Sequence, residues 1–96
     1  MPTEYIFLGK IKISIQKGRV IALCIQGKLR KEMAEILGIS ISAVDKHTAF
    51  LKLKLKVSNP QQLVAEGMKH GYTTNGYFGG RDLFEGFVKP DKPEDK

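Results

Sequence analysis

Three residues within eleven positions constrain this chain more than any other feature: Ala34, Gly38 and Val44, at offsets of four and ten. Two helices that cross closely need a small side chain on the first where the second passes. They need a residue tolerant of positive φ in the turn, and a branched apolar side chain on the second helix facing back into the crossing. Ala34, Gly38 and Val44 meet these needs in order, and Leu37, Ile39 and Leu51 supply apolar flanks. Ser40 stands where its hydroxyl can accept from the free N–H groups of the second helix's first turn. The predicted unit is a helix over Arg30–Leu37, a turn at Gly38 and a second helix over Ile41–Leu55.

Start and stop signals extend this frame to four helices. Ser14 is a good N-cap for a first helix running to about Gln26, with Gly27 as a left-handed terminator. Asn59-Pro60 pairs an N-cap with proline at the first helical position, so a fourth helix begins there and stops near Gly71. Gly18, inside the first helix, costs about 1 kcal/mol relative to alanine. Phe50–Val57 alternates apolar residues with lysine, which taken alone signals a strand. The helical register of Val44, His47, Thr48, Leu51 and Leu55 overrides that signal. Residues 1–13 read as an irregular or extended lead-in with a short apolar cluster, Tyr5–Leu8. The predicted fold is therefore all-α, a four-helix module over 1–71 followed by a tail over 72–96.

The tail carries Tyr72, Tyr77, Phe78, Phe84 and Phe87, five of the eight aromatic residues. Asn75-Gly76 can make a tight turn and Gly79-Gly80 a hinge, after which Leu83, Phe84 and Phe87 share one side of a short helical turn. These side chains either fold back over the helices, or over Tyr5 and Phe7, or form an arm that grips a second copy or another protein. The last eight or nine residues are charged and nearly free of apolar groups, and are expected to be disordered.

Residues 1–80 hold twelve Lys/Arg against five Asp/Glu, and residues 81–96 hold four against five. A basic body with a slightly acidic end points toward a polyanionic partner, above all nucleic acid. No apolar stretch reaches membrane-spanning length, and the first residues lack the order of a signal peptide. The single cysteine, Cys24, sits in an apolar run and reads as a buried thiol in a reducing, cytoplasmic setting. His47 and His70 lack companions for a metal site, and no nucleophile–base pair, acidic dyad or phosphate-cradling loop is present. No enzyme activity and no cofactor is expected.

From Ile13 to Gly71 the sequence resembles the LuxR/GerE-type helix-turn-helix domain of bacterial transcription regulators. The residues that carry the resemblance include Val20, Leu23, Gly27, Lys31-Glu32-Met33-Ala34, Leu37-Gly38-Ile39-Ser40 and Val44 with His47. Leu51, Leu55, Val57, Asn59, Leu63 and Val64 complete the run. The resemblance implies a regulator that binds double-stranded DNA with the Ile41–Leu55 helix in the major groove. The candidate contact residues are Lys31, Ser40, Ser42, Asp45, Lys46, Ala49 and Lys52, and His47 is assigned to packing and hydrogen bonding at the crossing. Ser42 touches a phosphate or base edge or is simply a helix-start serine, and Lys46, on the face opposite the packing side of Val44, meets DNA or is merely solvated. Lys31 meets phosphate or is simply solvated, and at most two of Lys52, Lys54 and Lys56 face the DNA backbone.

The chain departs from the family's pattern at Ser14-Ile15-Gln16-Lys17, at Arg19 where an acid is usual, at Asp45 where a basic residue is usual, and at Ala49 where relatives often carry a basic residue. An Asp turned toward DNA either accepts from cytosine N4 or is repelled by phosphate. A homodimer through the fourth helix is expected, using Leu63, Val64, Met68 and a close approach at Gly67. The competing expectation is a helix-turn-helix scaffold serving as a protein-interaction module, with Asp45 and the aromatic tail in its favour.

Overall fold

The computed structural model describes residues 5–72, 77–78 and 81–88. Four helices run in chain order: α1 Ile15–Ile25, α2 Arg30–Leu37, α3 Ile41–Leu55 and α4 Pro60–Lys69. Their starts follow from side-chain chemistry. The hydroxyls of Ser14 and Ser40 accept from the N–H groups of Lys17 and Ala43 at 3.3 and 3.0 Å. The Asn59 Oδ1 accepts from Gln62 N at 2.9 Å. Leu29, ahead of α2, has no side-chain acceptor; instead the Glu32 carboxylate reaches back to its N–H at 2.8 Å. Gly38 ends α2 in the left-handed region at φ 69°, a conformation that costs glycine nothing.

The segment whose alternation signals a strand is helical as far as Leu55, the end of α3, and Lys56 caps that helix with a left-handed backbone at φ 58°. Leu51 and Leu55 turn inward and Leu53 is 77% exposed. The lysines between them sit on or near the solvent side.

The extended lead-in is instead a β-hairpin, so the fold is not wholly α. β1 Tyr5–Leu8 pairs antiparallel with β2 Ile11–Ser14, joining Leu8 to Ile11 across a two-residue loop. Gly9 takes φ +62° in that loop, the kind of backbone a tight hairpin demands. Ile6, Leu8 and Ile13 are buried while Tyr5 and Phe7 are exposed, the one-sided pattern of a short sheet lying on helices.

The tail closes over the same core. Tyr72 and Leu83 are buried in it, with Phe78, Phe84 and Phe87 packed partly against it. Two short strands, β3 Tyr77–Phe78 and β4 Arg81–Asp82, pair antiparallel, and Tyr72 bridges to Phe78. The Tyr72 and Phe78 rings lie 4.5 Å apart. Hydrogen-bonded turns follow over Asp82–Phe87, so Leu83, Phe84 and Phe87 dock on their own chain. Expectations for Asn75-Gly76, Gly79-Gly80 and the last eight residues fall outside the described residues, as does the side chain of Tyr77.

Arg19 ties the tail down, its Nε donating to the Leu83 carbonyl at 2.8 Å and its guanidinium lying 4.5 Å from the centre of the Phe87 ring. Gly18 makes this closure possible. A Cβ there would lie 2.5 Å from Ile6 Cδ1 and 2.7 Å from Tyr72 Oη. The helical cost of Gly18 is the condition for hairpin and tail to meet on α1.

Leu83 is 1% exposed, so Leu83→Ala should destabilise by about 2–5 kcal/mol through lost burial and a residual cavity. Calorimetry should show a melting temperature lower by about 10 °C or more, by the same amount at every protein concentration. A loss that appears only as the protein is diluted would mean that the tail packs on a second copy.

Candidate nucleic-acid interface

The geometry of the helix-turn-helix rests on how closely α2 and α3 approach. Ala34 and Val44 are buried at the crossing, together with Leu37, Ile39 and Ala43. The turn is held by Gly38 N and Ile39 N, both donating to the Ala34 carbonyl. His47 is buried one turn beyond Val44. With Ala43, Val44, His47 and Leu51 turned inward, the opposite face of α3 points outward by the helical period. Ser42, Lys46, Ala49 and Leu53 form that exposed stripe.

Asp45 lies beside the stripe and is not a free charge. Its two carboxylate oxygens accept from Arg30 Nε at 2.7 Å and Arg30 Nη2 at 2.6 Å. The pair joins the first residue of α2 to the fifth of α3. Both side chains are largely open to water, so the bond adds little to stability and acts mainly on charge and orientation. The carboxylate raises the Arg30 pKa, first through the hydrogen bonds and then through its charge.

The same side of α3 borders a groove of about 700 Å³ between the starts of α2 and α4, with the apolar Leu29, Met33, Pro60, Leu63 and Val64 in its lining and Lys28, Arg30, Lys31, Asp45, Thr48 and Lys52 beside them. The structure thus gathers Lys31, Asp45 and Lys52 on one groove and places Ser42, Lys46 and Ala49 on the adjoining exposed stripe. Ser40 is set apart, since its hydroxyl is engaged in capping α3. Thr48 donates back to the carbonyls of Val44 and Asp45. Among the other lysines, Lys54 lies 5.5 Å from the centre of the Phe50 ring.

Two residues of this surface, Lys28 and Arg30, were not among the expected contacts. Arg30 pairs with Asp45 across fifteen positions, beyond the three- and four-residue spacings at which charges meet on one helix. An unmatched acid near the start of α3 was the only available signal.

The fourth helix differs from expectation. Leu63 is 1% exposed and belongs to the core. Gly67 is also buried, and a Cβ there would lie 2.7 Å from Ile21 Cγ2. The close approach at Gly67 is to α1 of the same chain, so neither residue is available to a second copy. Val64 is half-buried and Met68 exposed.

Cys24 borders the groove with its Sγ 3.9 Å from Met33 Sδ. Burial pushes its thiol pKa up to about 11, which opposes thiolate chemistry. Among the described residues no group of three His, Cys, Asp or Glu could hold a metal ion. No helix among them is long and apolar enough to cross a membrane.

A crossing closed by Ala34, Gly38 and Val44, with a capped second helix presenting its outer face, defines a helix-turn-helix module. Residues 14–66 match the family described as bacterial regulatory proteins, luxR family, and the chain belongs to that family. No curated protein and no solved structure matches the chain.

The Ser40 cap is the local device that starts α3 where its outer face becomes exposed. Ser40→Ala should cost about 1 kcal/mol, read as a lower urea midpoint with unchanged slope. An unchanged midpoint would show that the helix start is held by the turn alone.

Proposed function

We propose that the protein is a transcription regulator that binds double-stranded DNA, with the N-terminal half of α3 entering the major groove. The observation that carries this reading is the two-sidedness of α3. Its inner face is locked into the crossing, while Ser42, Lys46 and Ala49 are exposed and the neighbouring groove carries Lys28, Lys31 and Lys52 among its lining residues. In this reading Lys31, Lys46 and Lys52 meet phosphate or base edges, Ser42 and Ala49 face the groove, and Ser40 supports the contact only through the helix start.

Asp45 weighs less against this reading than an unpaired acid would, because Arg30 balances its charge. Two observations count against the rival reading as a protein-interaction module. Asp45 has an internal partner, and the described aromatic residues of the tail cover the chain's own core. A dimer on this reading draws on Val64 and Met68 alone among the four α4 residues first considered.

Fluorescence anisotropy with a labelled random duplex tests the proposal. The logarithm of the binding constant should fall linearly with that of salt concentration, by about 0.9 per phosphate neutralised, or a slope near −3 for three contacts. Lys46→Ala should weaken binding and, if Lys46 meets phosphate, reduce the slope by about one. Absence of binding at low salt would overturn the proposal.

A further inference from the structure

The Arg30–Asp45 pair uses only part of the guanidinium. Asp45 takes the edge formed by Nε and one hydrogen of Nη2. Arginine carries five N–H donors, so both hydrogens of Nη1 and the second of Nη2 remain. Among the described residues no acceptor meets that outer edge, and the Arg30 side chain is 63% exposed. What remains is a planar two-donor fork, held in one orientation and standing beside the exposed stripe of α3.

Two ligands present a matching pair of acceptors: a phosphate group, and the major-groove edge of guanine through O6 and N7. The charge balance separates them. A phosphate contact draws on net positive charge, and Asp45 cancels the charge of Arg30. A phosphate can take the same fork, so it is this loss of net charge, together with the demand of a planar base edge for one orientation, that favours guanine.

We propose that Arg30 is a guanine-reading residue of this protein, and that Asp45 is the positioning residue that holds its fork in the reading plane. The proposal rests on the DNA-binding function above. It moves the sequence-reading task from position 45 of α3 to the first residue of α2, and gives the acid at position 45 a role through its partner.

Selection of preferred sites from a randomised duplex pool, followed by anisotropy on the winning site and its single-base variants, tests this with the full chain. Replacing one particular guanine should weaken wild-type binding about tenfold. Arg30→Lys keeps the charge and loses the fork, and should cut that discrimination to about threefold or less. Asp45→Asn should lose discrimination at the same base pair, and the double variant should lose no more than either single one, since the two residues act as a unit. Matching melting curves for the variants exclude a folding defect.

If wild type binds duplexes but Arg30→Lys changes no base preference, the fork does not read guanine and the proposal is overturned, leaving DNA binding intact. A uniform gain in affinity for Asp45→Asn with preference retained would overturn it equally, by making Asp45 a merely repulsive charge. If wild type binds no duplex at any salt concentration, the DNA-binding function fails and this proposal fails with it.

Discussion

The structure depends on the close crossing of α2 and α3 at Ala34, Gly38 and Val44. Val44 is fully buried and Ala34 nearly so. A larger side chain at position 34 would force the helices apart, because packed interiors have few voids to absorb added volume. Once the crossing is set, the exposed face of α3 follows from helical geometry alone. Position 38 carries a second constraint, since its left-handed backbone disfavours any side chain with a Cβ.

A chain of 96 residues has little core of its own, and small domains bury a modest share of their surface. The hairpin and tail answer that shortage by covering α1 from outside the four-helix frame. Ile6, Tyr72 and Leu83 converge on Gly18, and Arg19 fastens the last of these through its main chain. Arg19 and Asp45 both depart from the pattern of the family, and each has a partner within this chain. Arg19 holds a tail that lies beyond the matched segment, and Asp45 holds Arg30.

The helices were legible because their signals are local: Ser14, Ser40 and Asn59 as caps, Gly38 as a terminator, and apolar residues at helical spacing. The Lys-Leu alternation near the end of α3 misleads because only Leu51 and Leu55 turn inward. The hairpin was missed although Gly9-Lys10 separates two short alternating runs, since an isolated hairpin of this length draws its stability from packing that no local pattern reveals. Gly67 shows the same limit. A small residue on a helix marks a close approach, but whether the visitor is α1 or a second copy depends on tertiary structure. On α3 the exposed stripe was readable from its register, and the Arg30–Asp45 pair was not, because it joins two helices.

The central claim is that α3 and the start of α2 form one surface for duplex DNA. Amide chemical-shift mapping by nuclear magnetic resonance, with unlabelled duplex added to isotopically labelled protein, addresses it most directly. The largest shifts should fall on Ser42, Asp45, Lys46 and Ala49 and on Arg30 and Lys31, with the hairpin and the outer face of α4 little changed. Shifts centred on α4 or on Tyr5 and Phe7, with α3 unaffected, would contradict the account.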